Sequence, residues 1–201
     1  DHQEFLGKTI REIAKEKAGI IKKKRPVVIS EYQPSIYDIF TEKSKEFESD
    51  LYLAKDSVLK DYSSDLKGSF QKKNILGVVK SISVLKEYEI SDNKIKKGLL
   101  NVVKNTGLKG RWEIINQSPK TITDVGHNIE AFNIIIKELN QISYNKLRVV
   151  IGFVKGKDFK KILNMFPKDT FFYVCQPNIK RSLNVKEIFN YLNKNGSKAK
   201  K

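Results

Sequence analysis

Apolar and polar positions follow two rhythms along this chain, one helical and one of short apolar runs, and they mark out its elements. Ile10, Ile13, Ala14 and Lys17 fall on one face of a helix. Thr9 and Glu12 open it with the spacing of a capping box, and Gly19 offers its stop. Pro26 to Ser30 reads as a short buried strand. Pro34 to Phe47 reads as an amphipathic helix with apolar residues at 36, 39, 40 and 47. Leu51 to Ala54 predicts another strand, and Val58 to Tyr62 a further one. Ser69 to Leu85 reads as a helix with Ile75, Val78, Val79, Ile82 and Leu85 inward. Ser91 opens a helix through Val103, and Gly107 and Gly110 break the pattern.

After Gly110 the rhythm changes. Strands are predicted at Arg111 to Ile115, Thr121 to Asp124, Leu147 to Phe153 and Thr170 to Cys175. Helices are predicted from the Asn128 cap through Leu139, at Asp158 to Met165 and at Val185 to Leu192. Strands alternating with helices imply parallel βαβ units, and so an α/β fold whose sheet continues past the last residue. The tail from Asn193 to Lys201 reads as a helix end or a frayed terminus. The best domain boundary falls near residues 105–109.

Composition narrows the picture. The chain has 201 residues, of which 39% are hydrophobic, enough for a packed core. No apolar run reaches the ~18–20 residues of a membrane helix. The first residue is Asp rather than Met, and no signal peptide is visible, which suggests a cut, processed or internal piece. The single cysteine, Cys175, sits in what looks like a buried strand, a structural thiol of a reducing compartment. A net charge of +16 attracts polyanions. The cations are mostly Lys and are spread along the chain, whereas base reading favours Arg forks. Lys22-Lys23-Lys24-Arg25, the densest run, reads as a solvated turn.

Three places could carry chemistry. Lys17 lies on the apolar stripe of its helix. Either it snorkels or pairs with an acid, or burial favours its neutral amine, which can add carbon dioxide to form a carbamate ligand for magnesium. His2 is one of two histidines, and histidine is an unusual magnesium ligand. Thr121 to Asn128 is a strand that ends in Asp124, a glycine turn, His127 and a helix cap. This is either an ordinary corner or a phosphate-facing site at a strand's carboxyl end. No G-x-x-x-x-G-K-S/T phosphate loop occurs in the chain.

Read together, these segments resemble the folylpolyglutamate synthase/dihydrofolate synthase family of the Mur-ligase superfamily. Asp1-His2, Leu6-Gly7-Lys8-Thr9-Ile10, Ile13-Ala14 and Glu16-Lys17-Ala18-Gly19-Ile20-Ile21-Lys22 are similar to its D-H…L-G-x-T-I…I-A-x-E-K-A-G-I-I-K stretch. Phe70-Gln71 with Asn74 resembles Y-Q-x-x-N, and Gly110-Arg111-Trp112-Glu113 resembles the end of W-P-G-R-F/L-E. Asp124-Val125-Gly126-His127-Asn128 resembles D-G-A-H-N, with Val-Gly in place of Gly-Ala. Gly152-Phe153 with Lys157-Asp158, and Lys180-Arg181-Ser182, resemble G-x-x-x-D-K-D and P-R-A, with Gly156 for Asp and no Pro in the latter. Lys109 stands where that family has Pro.

The resemblance implies a fold and a reaction. Residues 1–106 would be the C-terminal part of a central ATP-binding domain. Residues 107–201 would be an incomplete Rossmann-like C-terminal βαβ domain, with a hinge near 105–109. The implied enzyme is an ATP-dependent amide ligase, using ATP and magnesium, that adds L-glutamate to dihydropteroate and/or folylpolyglutamate through an acyl phosphate. His2 and carbamylated Lys17 would hold magnesium, Asn74, Arg111 and Asp124 would contact ATP, and His127 would stand near the phosphates and the glutamate. The expected protein is a cytoplasmic monomer acting on small molecules, with no specific nucleic-acid and no membrane partner. The 201 residues alone would be inactive for want of the phosphate loop. The rival classes are a basic nucleic-acid-binding protein and a non-catalytic truncated relative.

Overall fold

A computed structural model describes residues 6–56 and 62–201. The expected strand at Val58 to Tyr62, save its last residue, and the candidate ligand His2 lie outside the described residues. The chain forms two compact units, Asp1–Thr123 and Asp124–Lys201.

In the first unit α1 (Ile10–Ala18), α2 (Pro34–Glu46), α3 (Gln71–Val84), α4 (Asp92–Leu99) and α5 (Val102–Thr106) accompany two short strands, β1 (Val27–Ile29) and β2 (Leu51–Leu53). The strands pair in parallel, Val27 opposite Leu51 and Ile29 opposite Leu53. A turn of 3-10 helix, Ala54–Asp56, follows β2. The capping box forms as its spacing predicts. Thr9 Oγ1 accepts from the Glu12 amide at 3.2 Å, and Glu12 Oε2 accepts from the amides of Thr9 and Lys8 at 3.0 and 2.7 Å. Gly19 ends α1 in right-handed geometry, so the stop uses no left-handed residue. Ala14, Ala18 and Ile21 bury against Ile39, with Val27, Ile36, Phe40 and Phe47 around them. The buried stripe is therefore 14, 18 and 21, and Ile10 is 52% exposed.

α3 inserts Ile75 and Gly77 into the interior. A Cβ on Gly77 would stand 2.8 Å from Ser30 Oγ, so this glycine lets α3 close on the end of β1. Val78 and Leu85, expected inward, face solvent, because α3 packs through Ile75 and Gly77. The expected helix from Ser91 to Val103 is two pieces, α4 and α5. Asp65 Oδ2 accepts from the Val103 amide at 2.9 Å and fixes the start of the second. The unit ends in an antiparallel hairpin, β3 (Glu113–Gln117) and β4 (Lys120–Thr123), with a register shift between Ile114 and Asn116. These two strands pair with each other rather than joining a parallel sheet.

The second unit runs α6 (Ile129–Leu139), β5 (Arg148–Ile151), α7 (Phe159–Leu163), β6 (Phe171–Val174), α8 (Val185–Lys194) and β7 (Lys198–Lys200). Its sheet is parallel in the order β5-β6-β7, two consecutive βαβ units. The tail from Asn193, expected to be a helix end or a frayed terminus, thus ends α8 at Lys194 and then forms a strand. One core gathers Ile151, Phe153, Phe172 and Val174 of the sheet side with Phe132, Phe159, Ile162, Leu163, Phe166, Ile188 and Leu192. Cys175 falls one residue past β6 and is exposed, so it is not the buried thiol that its apolar neighbours suggested. None of the helices among the described residues is long and apolar enough to cross a membrane.

Candidate functional site

Lys17 is exposed, which overturns its expected burial on this chain. At 100° per residue it lies about 60° round the helix from Ala14, on the flank away from Ala18. α2 covers the other flank. Without burial nothing here favours the neutral amine that a carbamate needs. Among the described residues, no cluster of three or more His, Cys, Asp and Glu side chains could hold a metal ion. The described residues alone therefore do not fit a magnesium site.

Asn74 stands in the first turn of α3 and is exposed. Its Nδ2 donates to Oε1 of Gln71 at 2.9 Å, and Gln71 is buried, so one end of the amide is held. Gln71 enters the interior from a polar first turn, which its place in a sequence motif does not reveal.

Arg111 sits in a tightly folded corner. Gly107 takes left-handed geometry (φ 67°) and closes α5 through its amide to Val103 O at 2.8 Å. Gly110 is also left-handed, and its amide donates to Glu113 Oε2 at 2.7 Å. Arg111 Nη1 donates to Gly110 O at 3.3 Å. Trp112 then adopts φ 51° while only 7% exposed. A large aromatic in this region stores roughly 1–2 kcal/mol of backbone strain. The buried ring and the Glu113 clamp hold a conformation that would otherwise relax. Glu113 as a clamp was legible only as an acid three residues from a glycine.

At the start of the second unit, Asp124 Oδ1 accepts from the Gly126 amide at 2.8 Å. Asn128 Oδ1 accepts from the Ala131 amide at 2.8 Å and caps α6. Between them His127 is exposed, with Nδ1 3.2 Å from Val125 O. A Cβ on Gly126 would stand 2.7 Å from Ile135 Cδ1 and 3.1 Å from Ala131 Cβ, so the turn lies hard against α6. The carboxylate, the imidazole and the positive end of an 11-residue helix are thereby gathered on one five-residue segment. The structure thus brings Asp124, His127 and Asn128 together, while Lys17, Asn74 and Arg111 lie on separate segments of the other unit.

Comparison with known proteins bears on this arrangement. Residues 110–201 match the Mur ligase, glutamate ligase domain family. Folylpolyglutamate synthase of Lacticaseibacillus casei is 26% identical over 91% of this chain and 48% of its own length. The dihydrofolate synthase/folylpolyglutamate synthase of Escherichia coli is 27% identical over 88% of this chain and 44% of its own. Folylpolyglutamate synthase of Candida albicans is 32% identical over 66% of this chain and 30% of its own. The chain spans about half the length of the first two. Among solved structures, Mycobacterium tuberculosis folylpolyglutamate synthase complexed with ADP and AMPPCP covers the whole chain with 52% of its own, at TM-score 0.84 and 19% identity. E. coli FolC in complex with DHPP and ADP covers the whole chain with 50% of its own, at TM-score 0.79 and 21% identity. These likenesses establish a shared α/β fold. With the ordered motifs from Leu6 to Ser182, they make the chain similar to folylpolyglutamate synthases and dihydrofolate synthases along most of its length, and residues 110–201 match the glutamate ligase domain of Mur ligases.

Proposed function

We propose that this chain is the nucleotide- and glutamate-facing part of an ATP-dependent amide ligase of folate biosynthesis in the cytoplasm. It would add L-glutamate to dihydropteroate, to folylpolyglutamate, or to both. The corner from Asp124 to Asn128 carries the reading. There a carboxylate and an imidazole stand at a capped helix start, in the order of the family's D-G-A-H-N segment. Relatives support it, since solved neighbours are described with ADP, with AMPPCP and folate, and with Mn, AMPPNP and L-glutamate.

In the reaction, a substrate carboxylate oxygen attacks the γ-phosphorus of ATP. ADP leaves and an acyl phosphate forms. The glutamate amine then attacks the acyl carbon, loses a proton and expels phosphate, leaving an amide. The protein's contribution is positioning and charge neutralisation. Arg111, Asn74 and Asp124 are assigned to the nucleotide, and His127 to the phosphates and the incoming glutamate. The resident metal of the family would be magnesium, with His2 and carbamylated Lys17 as the residues assigned to it. The described residues alone do not build that centre.

The division of labour in the chain is assigned as residues 1–106 to the ATP-binding domain and 107–201 to the glutamate-ligase domain, with a hinge near 105–109. The reading is tested in the complete polypeptide that carries this chain. Phosphate release from ATP should require both a pteroate or folate acceptor and L-glutamate, and the 201 residues alone should show none. Phosphate release by the complete polypeptide that ignores the acceptor would rule the ligase out, and a total lack of turnover would favour a non-catalytic relative.

A further inference from the structure

Gly110 is held from both sides in the corner that leads into β3. Its amide donates to Glu113 Oε2 at 2.7 Å, and its carbonyl oxygen accepts from Arg111 Nη1 at 3.3 Å. Gly110 is buried at φ 68°, and Trp112, also buried, follows at φ 51°. With Gly107 at φ 67°, three residues of this short loop take left-handed geometry. Local preference does not select such a run, least of all at a tryptophan, so contacts from outside the loop must hold it. Glu113 supplies one from a fixed base, because its backbone opens β3 and pairs with Thr123 of β4. A carboxylate that accepts from an amide makes a charge-assisted bond, roughly twice as strong as a neutral one. That bond goes to the amide and not to the guanidinium, so it orders the loop without occupying a donor of Arg111.

We propose that Glu113 is a positioning residue for phosphoryl transfer. By holding the Gly110 amide it fixes the backbone from which Arg111 extends, and so the direction from which the guanidinium meets the nucleotide. Glu113 itself touches neither the nucleotide nor a metal. The proposal rests on the reading of Arg111 as a nucleotide contact. It uses only bonds inside this corner, which do not depend on what other polypeptide covers it. Without the carboxylate the buried Gly110 amide loses its acceptor, the loop relaxes, and Arg111 moves with it. Misplacing such a group by about 1 Å can cost on the order of 100-fold in rate.

The test is steady-state kinetics of the complete polypeptide that carries this chain. Glu113→Ala should lower kcat/KM for ATP by about 10- to 100-fold, with KM for L-glutamate and for the acceptor nearly unchanged. Glu113→Gln keeps an acceptor oxygen at the same reach and should restore most of the loss. Glu113→Ala added to Arg111→Ala should cost nothing further, because the first acts only through the second. Amide exchange over residues 108–113 should quicken in Glu113→Ala and return toward the parent in Glu113→Gln. Additive losses overturn the proposal, and so does unaltered exchange. Glu113→Gln as impaired as Glu113→Ala also overturns it, since the charge would then act directly on metal or substrate. A lower unfolding midpoint with every KM unchanged would assign Glu113 to stability alone and overturn it too. Full activity of Arg111→Ala would sink the nucleotide assignment of Arg111 together with this proposal, whereas additive losses beside an impaired Arg111→Ala sink this proposal only.

Discussion

Arg11 meets Asp38 through both terminal nitrogens, Nη1 at 3.1 Å from Oδ1 and Nη2 at 2.6 Å from Oδ2, which ties α1 to α2. Nη1 also donates to Ser35 O at 2.7 Å. The guanidinium holds the Asp38 carboxyl below its ordinary range, chiefly through the hydrogen bond and then through charge. Glu12 is lowered as well, first by the amides of Thr9 and Lys8. A carboxylate whose folded value is depressed contributes stability above its unfolded value and loses it as pH falls through the folded one. The contribution of these two should therefore be complete at neutral pH and fade below about pH 4. The measurement is the melting temperature of Asp38→Asn against the parent across pH. The gap should be present at neutrality and close in acid; a gap independent of pH would deny the linkage. Both groups are at the surface, so the gap should be small and should shrink with salt.

Asn128 is expected to be worth more to the fold than its neighbours in the corner. Its side chain satisfies the Ala131 amide at the start of α6, whose Phe132 enters the core three residues on from Ile129. Asn128→Ala should cost about 1 kcal/mol in urea unfolding, and Asn128→Asp should recover most of it. His127→Ala, one residue earlier and exposed, should leave stability nearly unchanged.

Those caps were readable because they are local: Thr9 with Glu12, and Asn128 before an apolar run, act on amides within four residues. Features decided by a distant partner were not. Lys17 and Ala14 share a helical stripe, and only the side on which α2 docks decides that Ala14 is buried and Lys17 exposed. Lys198-Ala199-Lys200 has no apolar signature, and it becomes a strand by pairing with Phe171 to Tyr173. Cys175 reads as buried because its apolar run does not reveal that the strand stops at Val174. In the candidate site the Asp124–Asn128 corner was legible as a motif. The left-handed Trp112 and its Glu113 clamp were not, since a bulky residue gives no warning of positive φ.

Gly152 should tolerate no side chain. It follows β5 where the Cys175 amide donates to Ile151 O at 2.9 Å. A Cβ there would stand 2.6 Å from the Cys175 carbonyl oxygen, a backbone atom that cannot turn aside. Gly152→Ala should therefore separate the ends of β5 and β6 and destabilise the second unit by about 1–3 kcal/mol. Urea unfolding reads the cost, and amide exchange at Cys175 and Val174 should accelerate locally. An unshifted midpoint would deny that the close approach of the two strand ends limits residue 152 to glycine.

Lys17 gives the sharpest test of the metal assignment, because its environment can be changed by more polypeptide. On this chain the side chain is exposed, so nothing here favours the uncharged amine that carbon dioxide attacks. With carbon-13 bicarbonate, the 201-residue chain should give no carbamate resonance that Lys17→Arg removes. The complete polypeptide should give one, because the ligase reading requires further residues to cover this flank of α1. There Lys17→Ala should abolish most turnover, and short carboxylic acids added to the assay should restore part of it by supplying the missing oxygen ligand. Lys17→Arg, which keeps the charge but cannot form the carbamate, should not be rescued. If the complete polypeptide gives no resonance and Lys17→Ala keeps full activity, Lys17 is a surface cation and magnesium must be held by other residues.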